Sequence, residues 1–188
     1  ITLKPDFSEA HFVLGNALHA QKKLDECIKS YRETLRLDPG FRKAHYRLGI
    51  ALYDQGKLDE AAASYNNALQ INRNQPAVHF NLGVIFQGQN RLEAAEASYR
   101  EALRLKPDHA RACANLGYVL RLQGRIEDAV TNYQTALRFE PDSAESHFNL
   151  GMAQHDLGRY EDAVKTYQAA VEIKPDYANL KSNGEVKR

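Results

Sequence analysis

The sequence lacks tryptophan altogether, holds two cysteines among 188 residues and contains no long apolar run. No stretch approaches the 18 or more apolar residues that a membrane-spanning helix needs, so no membrane partner is predicted. The 25 Lys and Arg nearly balance the 24 Asp and Glu. That balance argues against a general nucleic-acid-binding surface, which requires a basic excess.

One unit of 34 residues recurs five times along the chain. Its clearest copy runs from Ala144 to Tyr177, and one glycine and one tyrosine return at the same phase in every copy. The two columns are Gly15, Gly49, Gly83, Gly117, Gly151 and Tyr31, Tyr65, Tyr99, Tyr133, Tyr167. A strict period of this length indicates an array of stacked supersecondary units.

Each copy divides into two amphipathic stretches whose apolar residues lie three or four apart, which predicts a pair of α-helices. A break of two residues separates them, so the paired helices must run antiparallel. Glycine or asparagine usually fills the break, since both tolerate the left-handed conformation that ends a helix. The break residues are Lys22, Gly56, Asn90, Gly124 and Gly158.

Proline ends the second helix of most copies, and an Asp, Ser or Asn beside it is expected to cap the next helix. Pro76 differs, because it falls in the first turn of its helix, where a missing N–H costs little. Glycine inside the first helix costs about 1 kcal/mol relative to alanine. We expect close packing to offset this cost, with Gly49 and Ala61 leaving a gap that Tyr65 fills.

The pattern predicts an all-α fold, a solenoid of five helix-turn-helix repeats in a single domain over residues 1–188. Residues 1–7 match the end of a preceding repeat, and residues 178–188 begin a further helix or tail. Neither end resembles the polar cap that closes a solenoid, so we expect a fragment of a longer array. The complete repeats are 8–41, 42–75, 76–109, 110–143 and 144–177.

These repeated leucine, glycine, alanine, tyrosine and proline positions resemble the tetratricopeptide repeat (TPR) family over nearly the whole chain. The resemblance implies helix pairs stacked in a right-handed superhelix, an α-α superhelix whose first helices line a concave groove for partner peptides. The family's usual large aromatic residue near the start of the first helix is missing. Its place is taken by His11, His45, His79, Cys113 and His147.

The histidine column does not predict a metal site. Side chains pointing the same way from helices about 8–10 Å apart do not converge on one ion. Acidic pairs such as Glu127-Asp128 open second helices, where negative charge complements the helix dipole. No serine or cysteine has an identifiable histidine partner. We therefore predict no enzyme, no catalytic residue, and no metal or cofactor.

Cysteine usage and glycosylation signals bear on the compartment. Cys27 and Cys113 fall in core positions of the first and fourth repeats, so no disulfide is expected between them. The sequence has no Asn-x-Ser/Thr glycosylation site and no signal peptide at its start. A reducing compartment is compatible with both observations, and we expect the cytoplasm.

The groove positions of the family, transferred to this chain, select the candidate peptide-binding residues. One row of asparagines among them resembles the ladder in O-linked N-acetylglucosamine transferases. Its amides offer both a donor and an acceptor to a peptide backbone. The candidates are Lys43, Tyr46, Arg47, Tyr53, Phe80, Asn81, Arg111, Asn115, Tyr118, Arg121, Phe148 and Asn149.

The cations among these candidates predict the partner. Lys43, Arg47, Arg111 and Arg121 gather on the groove side, and arginine can grip a carboxylate with two hydrogen bonds. We expect a protein scaffold that binds an extended segment, acidic in its middle and with apolar anchors. The two-carboxylate clamp of chaperone adaptors is poorly matched. The alternatives are a substrate-docking arm of a larger enzyme, such as a glycosyltransferase, and end-to-end self-association.

Overall fold

The computed structural model describes residues 7–177, which form ten α-helices and no strand. The predicted partial repeats at residues 1–6 and 178–188 lie outside the described residues. Helix α1 begins at Phe7, one residue before the predicted repeat boundary. The helices are α1 Phe7–Ala20, α2 Leu24–Leu37, α3 Arg42–Asp54, α4 Leu58–Ile71, α5 Pro76–Gly88, α6 Leu92–Leu105, α7 Ala110–Leu122, α8 Ile126–Phe139, α9 Ala144–Asp156 and α10 Tyr160–Ile173.

The chain divides into two compact units, which we call unit 1 (residues 1–78) and unit 2 (residues 79–188). In unit 1, α1 packs on α2, α2 on α3 and α3 on α4, and α1 also touches α3. In unit 2, α6 packs on α7, α7 on α8, α8 on α9 and α9 on α10, and α7 also touches α9. First helices of successive repeats are therefore neighbours within each unit. The repeat boundaries within a single domain remain a prediction.

The breaks between paired helices adopt the conformation that the sequence indicates. Gly56, Gly124 and Gly158 have φ of 79°, 79° and 71°, and Lys22 and Asn90 have φ of 59° and 56°. In the second repeat the Gly56 N–H bonds the Tyr53 carbonyl at 2.8 Å, which satisfies an orphan group of the helix end. Even Lys22 accepts the left-handed conformation, at a strain that glycine would avoid.

The fit of glycine against tyrosine is confirmed. A Cβ added to Gly49 would lie 2.5 Å from Cε1 of Tyr65, which is 1% exposed. A Cβ on Gly117 would lie 3.0 Å from Cε1 of Tyr133, which is fully buried. The aromatic ring thus occupies the space that any larger residue in the first helix would need.

The prediction that polar residues beside proline cap the next helix is wrong for α3 and α7. Their N-cap residues are Phe41 and His109, and neither makes a side-chain capping bond. Ser143 does cap α9, accepting a hydrogen bond from the Ser146 N–H at 3.3 Å. Pro76 is the first residue of α5, as predicted.

Two members of the histidine column tie their helix to the preceding turn. His45 Nε2 lies 3.0 Å from the Pro39 carbonyl, and His147 Nε2 lies 2.9 Å from the Pro141 carbonyl. A carbonyl oxygen only accepts, so Nε2 carries the proton in both rings. These two imidazoles therefore have a structural role, because each hydrogen-bonds the turn before its own helix.

Candidate functional site

Unit 1 presents its candidate residues on α3. Lys43 and Arg47 lie one turn apart and are both exposed. Neither forms an ion pair within residues 7–177. Tyr46 is half-buried, with its ring centroid 6.0 Å from that of Tyr65, and Tyr53 is 40% exposed. The face is therefore cationic, with aromatic surface beside the charges.

Arg47 lies near the hydroxyl of Tyr31. Burial raises the pKa of Tyr31 to about 12, and the positive charge of Arg47 works in the opposite direction. The Tyr31 hydroxyl itself donates to Asn16 Oδ1 at 2.9 Å. In the described part of unit 1, Arg47 forms no ion pair with a carboxylate.

Unit 2 contains a cavity of about 310 Å³, bounded by α7, α9, the turn before α9 and one residue of α5. We call it the unit 2 cavity. Its lining residues are Gln87, Ala110, Arg111, Ala114, Asn115, Tyr118, Glu140, Ser143, Glu145, Ser146 and Asn149. Four of the predicted groove residues meet here: Arg111, Asn115, Tyr118 and Asn149.

Several polar groups of the cavity wall are already hydrogen-bonded. Tyr99 donates its hydroxyl to Gln87 Oε1 at 2.7 Å and accepts a bond from Asn115 Nδ2 at 3.2 Å. The Ser143 and Ser146 hydroxyls lie 2.9 Å apart. Asn115 is therefore partly occupied by its own protein, so an incoming peptide would find mainly its amide oxygen available.

Other groups of the wall are uncommitted within residues 7–177. The side chains of Asn149, Tyr118, Glu140 and Glu145 form no hydrogen bond or ion pair with another residue of that range. Arg111 forms no ion pair in the described part of the chain, and its Cζ lies 5.3 Å from the centroid of the Phe80 ring. The wall therefore combines one cation with two carboxylates, and it is not a uniformly positive surface.

Arg121 is occupied by a carboxylate of its own chain. Its Nε lies 2.6 Å from Asp156 Oδ2, and both side chains are partly shielded, at 21% and 34% exposure. The contact joins α7 to the end of α9. Arg121 thus already has a carboxylate partner within its own chain, and its contact with an acidic partner stays a prediction.

Two aromatic candidates contribute less surface than the sequence suggests. Phe80 is 7% exposed and stacks on His109 at 4.8 Å between ring centroids, so it belongs to the core of unit 2. Burial, followed by Lys106 and Arg111, lowers the pKa of His109. Phe148 is half-buried, with its ring 5.5 Å from Tyr167. Asn81 is half-buried as well.

A sequence comparison matches the TPR repeat at residues 15–56, 49–90 and 117–158. The tetratricopeptide repeat also matches at residues 76–109 and 144–177. The chain belongs to the TPR family. Among curated proteins, a comparison finds no match.

Solved structures of TPR proteins share the fold. A crystal structure of MamA is 22% identical, covering 88% of this chain and 96% of that one, with a TM-score of 0.82. MamA from Desulfovibrio magneticus is 18% identical over 91% and 97%, with a TM-score of 0.85. YrrB, a TPR protein with an unusual peptide-binding site, is 19% identical over 95% and 94%, with a TM-score of 0.81. Together with the ten helices, these likenesses establish an all-α TPR solenoid.

The 34-residue period identified the groove residues on the first helices, but it did not identify every residue that lines the unit 2 cavity. Glu140 and Ser143 lie in the turn before α9, which the groove projection of first helices leaves out. Glu145 could be found from the sequence, because it lies 34 residues after Arg111 in the same column.

Across the described residues no cluster of three or more His, Cys, Asp or Glu could hold a metal ion. Nor is any described helix both long and apolar enough to cross a bilayer.

Proposed function

We propose that this TPR protein is an interaction scaffold that holds an extended segment of a partner protein along its first helices. The observation that carries the proposal is the face of α3, where Lys43 and Arg47 are exposed and unpaired beside Tyr46 and Tyr53. Charges that no carboxylate of the described chain neutralises attract an acidic ligand. The aromatic side chains add apolar contact, so the bound segment combines acidic and apolar residues.

The asparagine row supports contacts to the partner's backbone in unit 2. Asn115 lines the cavity and keeps its amide oxygen available, so it can accept a hydrogen bond from a peptide N–H of any sequence. The same arrangement would serve the docking arm of a larger enzyme of the O-linked N-acetylglucosamine transferase type. A scaffold function requires no catalytic domain, so we propose it ahead of the docking arm.

Selection from random peptides displayed on phage tests this function. We expect enrichment of peptides with Asp or Glu flanked by apolar residues, and weaker binding as salt concentration rises. A Lys43→Ala/Arg47→Ala variant should retain few of these peptides. Arg36→Ala is the matched control, because Arg36 is exposed on α2 and bonded to Glu33. Selected peptides that are basic, or that bind the double variant as well as the parent, would refute the proposal.

Self-association is a second candidate, favoured by unequal burial at equivalent positions. Leu14 is 49% exposed, whereas Leu48 in the same column is 7% exposed. Val164 is 52% exposed, whereas Val130 is 5% exposed. Another copy could cover these apolar faces as neighbouring helices cover the inner ones. Light scattering should then show an average mass that rises with protein concentration, and Val164→Asp should lower that mass at a given concentration. A mass that stays constant over concentration would refute self-association.

A further inference from the structure

The unit 2 cavity is large enough to admit a side chain of the partner. Its volume of about 310 Å³ is at the lower end of the roughly 300–1,000 Å³ that small-molecule sites occupy. Its wall is mainly polar, with amide, hydroxyl, carboxylate and guanidinium groups. A group that enters it is therefore selected by hydrogen bonds and charge more than by apolar contact.

Opposite charges face this cavity without joining. Arg111 stands on α7, while Glu145 lies on α9 and Glu140 precedes it. No pair within 4.0 Å forms between Arg111 and either carboxylate in the described structure, and the guanidinium lies over Phe80 instead. The cavity thus offers one guanidinium and two carboxylates that are not paired with one another.

The charge arrangement decides which ligand group fits. A lone carboxylate would be attracted by Arg111 but repelled by Glu140 and Glu145. A lone ammonium or guanidinium would meet the repulsion of Arg111. An apolar group would leave the buried parts of this polar wall without partners, which is costly. A carboxamide has one acceptor oxygen and a donor NH₂ group, so it can pair with the guanidinium and with a carboxylate without carrying a net charge.

Asn149 adds a second, independent reason. Asn115, one repeat earlier, bonds the Tyr99 hydroxyl, but the Asn149 side chain makes no such bond within residues 7–177. Its amide is therefore available to a ligand at no cost in lost internal bonds. Two carboxamides pair well, because each supplies the donor that the other accepts.

We infer that the unit 2 cavity binds the carboxamide side chain of a glutamine or asparagine in the partner segment. This inference rests on the proposed scaffold function and names the residue that unit 2 recognises. Arg111 and Asn149 supply donors to the carboxamide oxygen. Glu145 accepts from its NH₂ group. The acidic residues of the partner segment are then confined to the part that contacts α3.

The test uses four capped amino acids as probes: N-acetyl, N-methylamide forms of Gln, Glu, Lys and Met. They share one backbone, so differences between them report the side chain alone. Binding is followed by nitrogen-15 NMR at the side-chain amides of Asn115 and Asn149. We expect the Gln probe to shift these signals and to bind at least about five-fold more tightly than the other three.

Variants separate the contributions. Asn149→Ala should weaken the Gln probe several-fold, while Asn66→Ala, an exposed asparagine on α4 in unit 1, should not. Glu145→Gln removes one carboxylate and should shift preference toward the Glu probe. Equal or tighter binding of a charged probe to the parent, unchanged binding to Asn149→Ala, or no response to any probe would overturn the inference. Any of these outcomes leaves the peptide selection, and so the scaffold function, separately testable.

Discussion

Helix α3 in unit 1 and helix α7 in unit 2 hold the same place in their repeats, yet their groove-side groups differ in availability. Arg47 and Asn115 are equivalent positions, two periods apart. Arg47 is exposed and unpaired in the described structure, whereas Asn115 donates to the Tyr99 hydroxyl. Equivalent positions in a repeat therefore share a backbone place without sharing a binding role.

A second equivalence separates structural charges from those available to a ligand. His19–Asp54 in unit 1 and Arg121–Asp156 in unit 2 join the same two repeat positions, at 2.8 Å and 2.6 Å. Both contacts link the ends of successive first helices. Arg121 thus makes the same contact between first helices that His19 makes in unit 1. Arg47 makes no such contact in the described structure. Of these two arginines, only Arg47 is without an ion pair in the described structure.

The glycine columns of the two units offer the largest predicted effect. Gly117→Leu should destabilise the protein by about 3 kcal/mol, because the side chain would displace the buried ring of Tyr133. The smaller change to alanine sharpens the comparison. Gly49→Ala meets a ring at 2.5 Å, and Gly117→Ala meets one at 3.0 Å, so the first should cost more. Urea midpoints that are unchanged, or ordered the other way, would show that this fit does not limit stability.

A buried carboxylate distinguishes unit 2 from unit 1 on the second helices. Glu96 accepts from Arg125 at 2.7 Å and pairs with Arg100 at 2.8 Å, whereas its equivalents in unit 1 are Ile28 and Ala62. Burial alone would raise the pKa of Glu96, but hydrogen bonds from Gln123 and Arg125 and the charge of Arg100 outweigh it, so the pKa is lowered. The ionised form therefore stabilises the folded state.

Glu96→Gln should lower the free energy of unfolding by about 1.5–3 kcal/mol at neutral pH. Because the folded pKa lies below the unfolded value of about 4.3, this contribution is lost as pH falls through the folded pKa. The gap between parent and variant should accordingly shrink in acid. Glu60→Gln is the control, since the Arg32–Glu60 pair is half exposed and should contribute little. A gap that persists in acid would contradict this account.

Two tyrosines of unit 2 differ in their hydroxyls. Tyr99 is hydrogen-bonded to Gln87 and Asn115, but the buried hydroxyl of Tyr133 has no partner within residues 7–177. Tyr99→Phe should cost about 1 kcal/mol of stability. Tyr133→Phe should cost nothing, or stabilise slightly, because it removes an unsatisfied polar atom. Thermal unfolding of both variants checks the difference, and an equal loss would mean that Tyr133 is bonded in solution.

The sequence predicted what depends on the repeat itself. The paired helices, the left-handed stops at Lys22 and Asn90, and the space filled by Tyr65 all follow from one period and elementary backbone chemistry. The sequence could not predict which polar side chains form hydrogen bonds or ion pairs with other residues of the protein. The Arg121–Asp156 contact joins residues 35 apart, one period and one residue, and a column-by-column reading does not pair such positions.

Side-chain direction was the other limit. Phe80 shares a column with the half-buried Tyr46 but lies in the core against His109. Helical phase alone does not decide whether a ring at the groove edge turns inward. Likewise the missing caps of α3 and α7 show that composition beside proline does not settle which residue occupies the N-cap.

The most direct test of the account compares Arg47→Ala with Arg121→Ala on one acidic peptide taken from the selection. Both substitutions remove one charge, but only Arg47 is unpaired in the described structure. We predict a loss of affinity of about five- to ten-fold for Arg47→Ala, equivalent to roughly 1–1.4 kcal/mol, and at most about two-fold for Arg121→Ala. Isothermal titration calorimetry at two salt concentrations measures both. Equal losses, or a larger loss for Arg121→Ala, would contradict the claim that internal pairing decides which cations bind the partner.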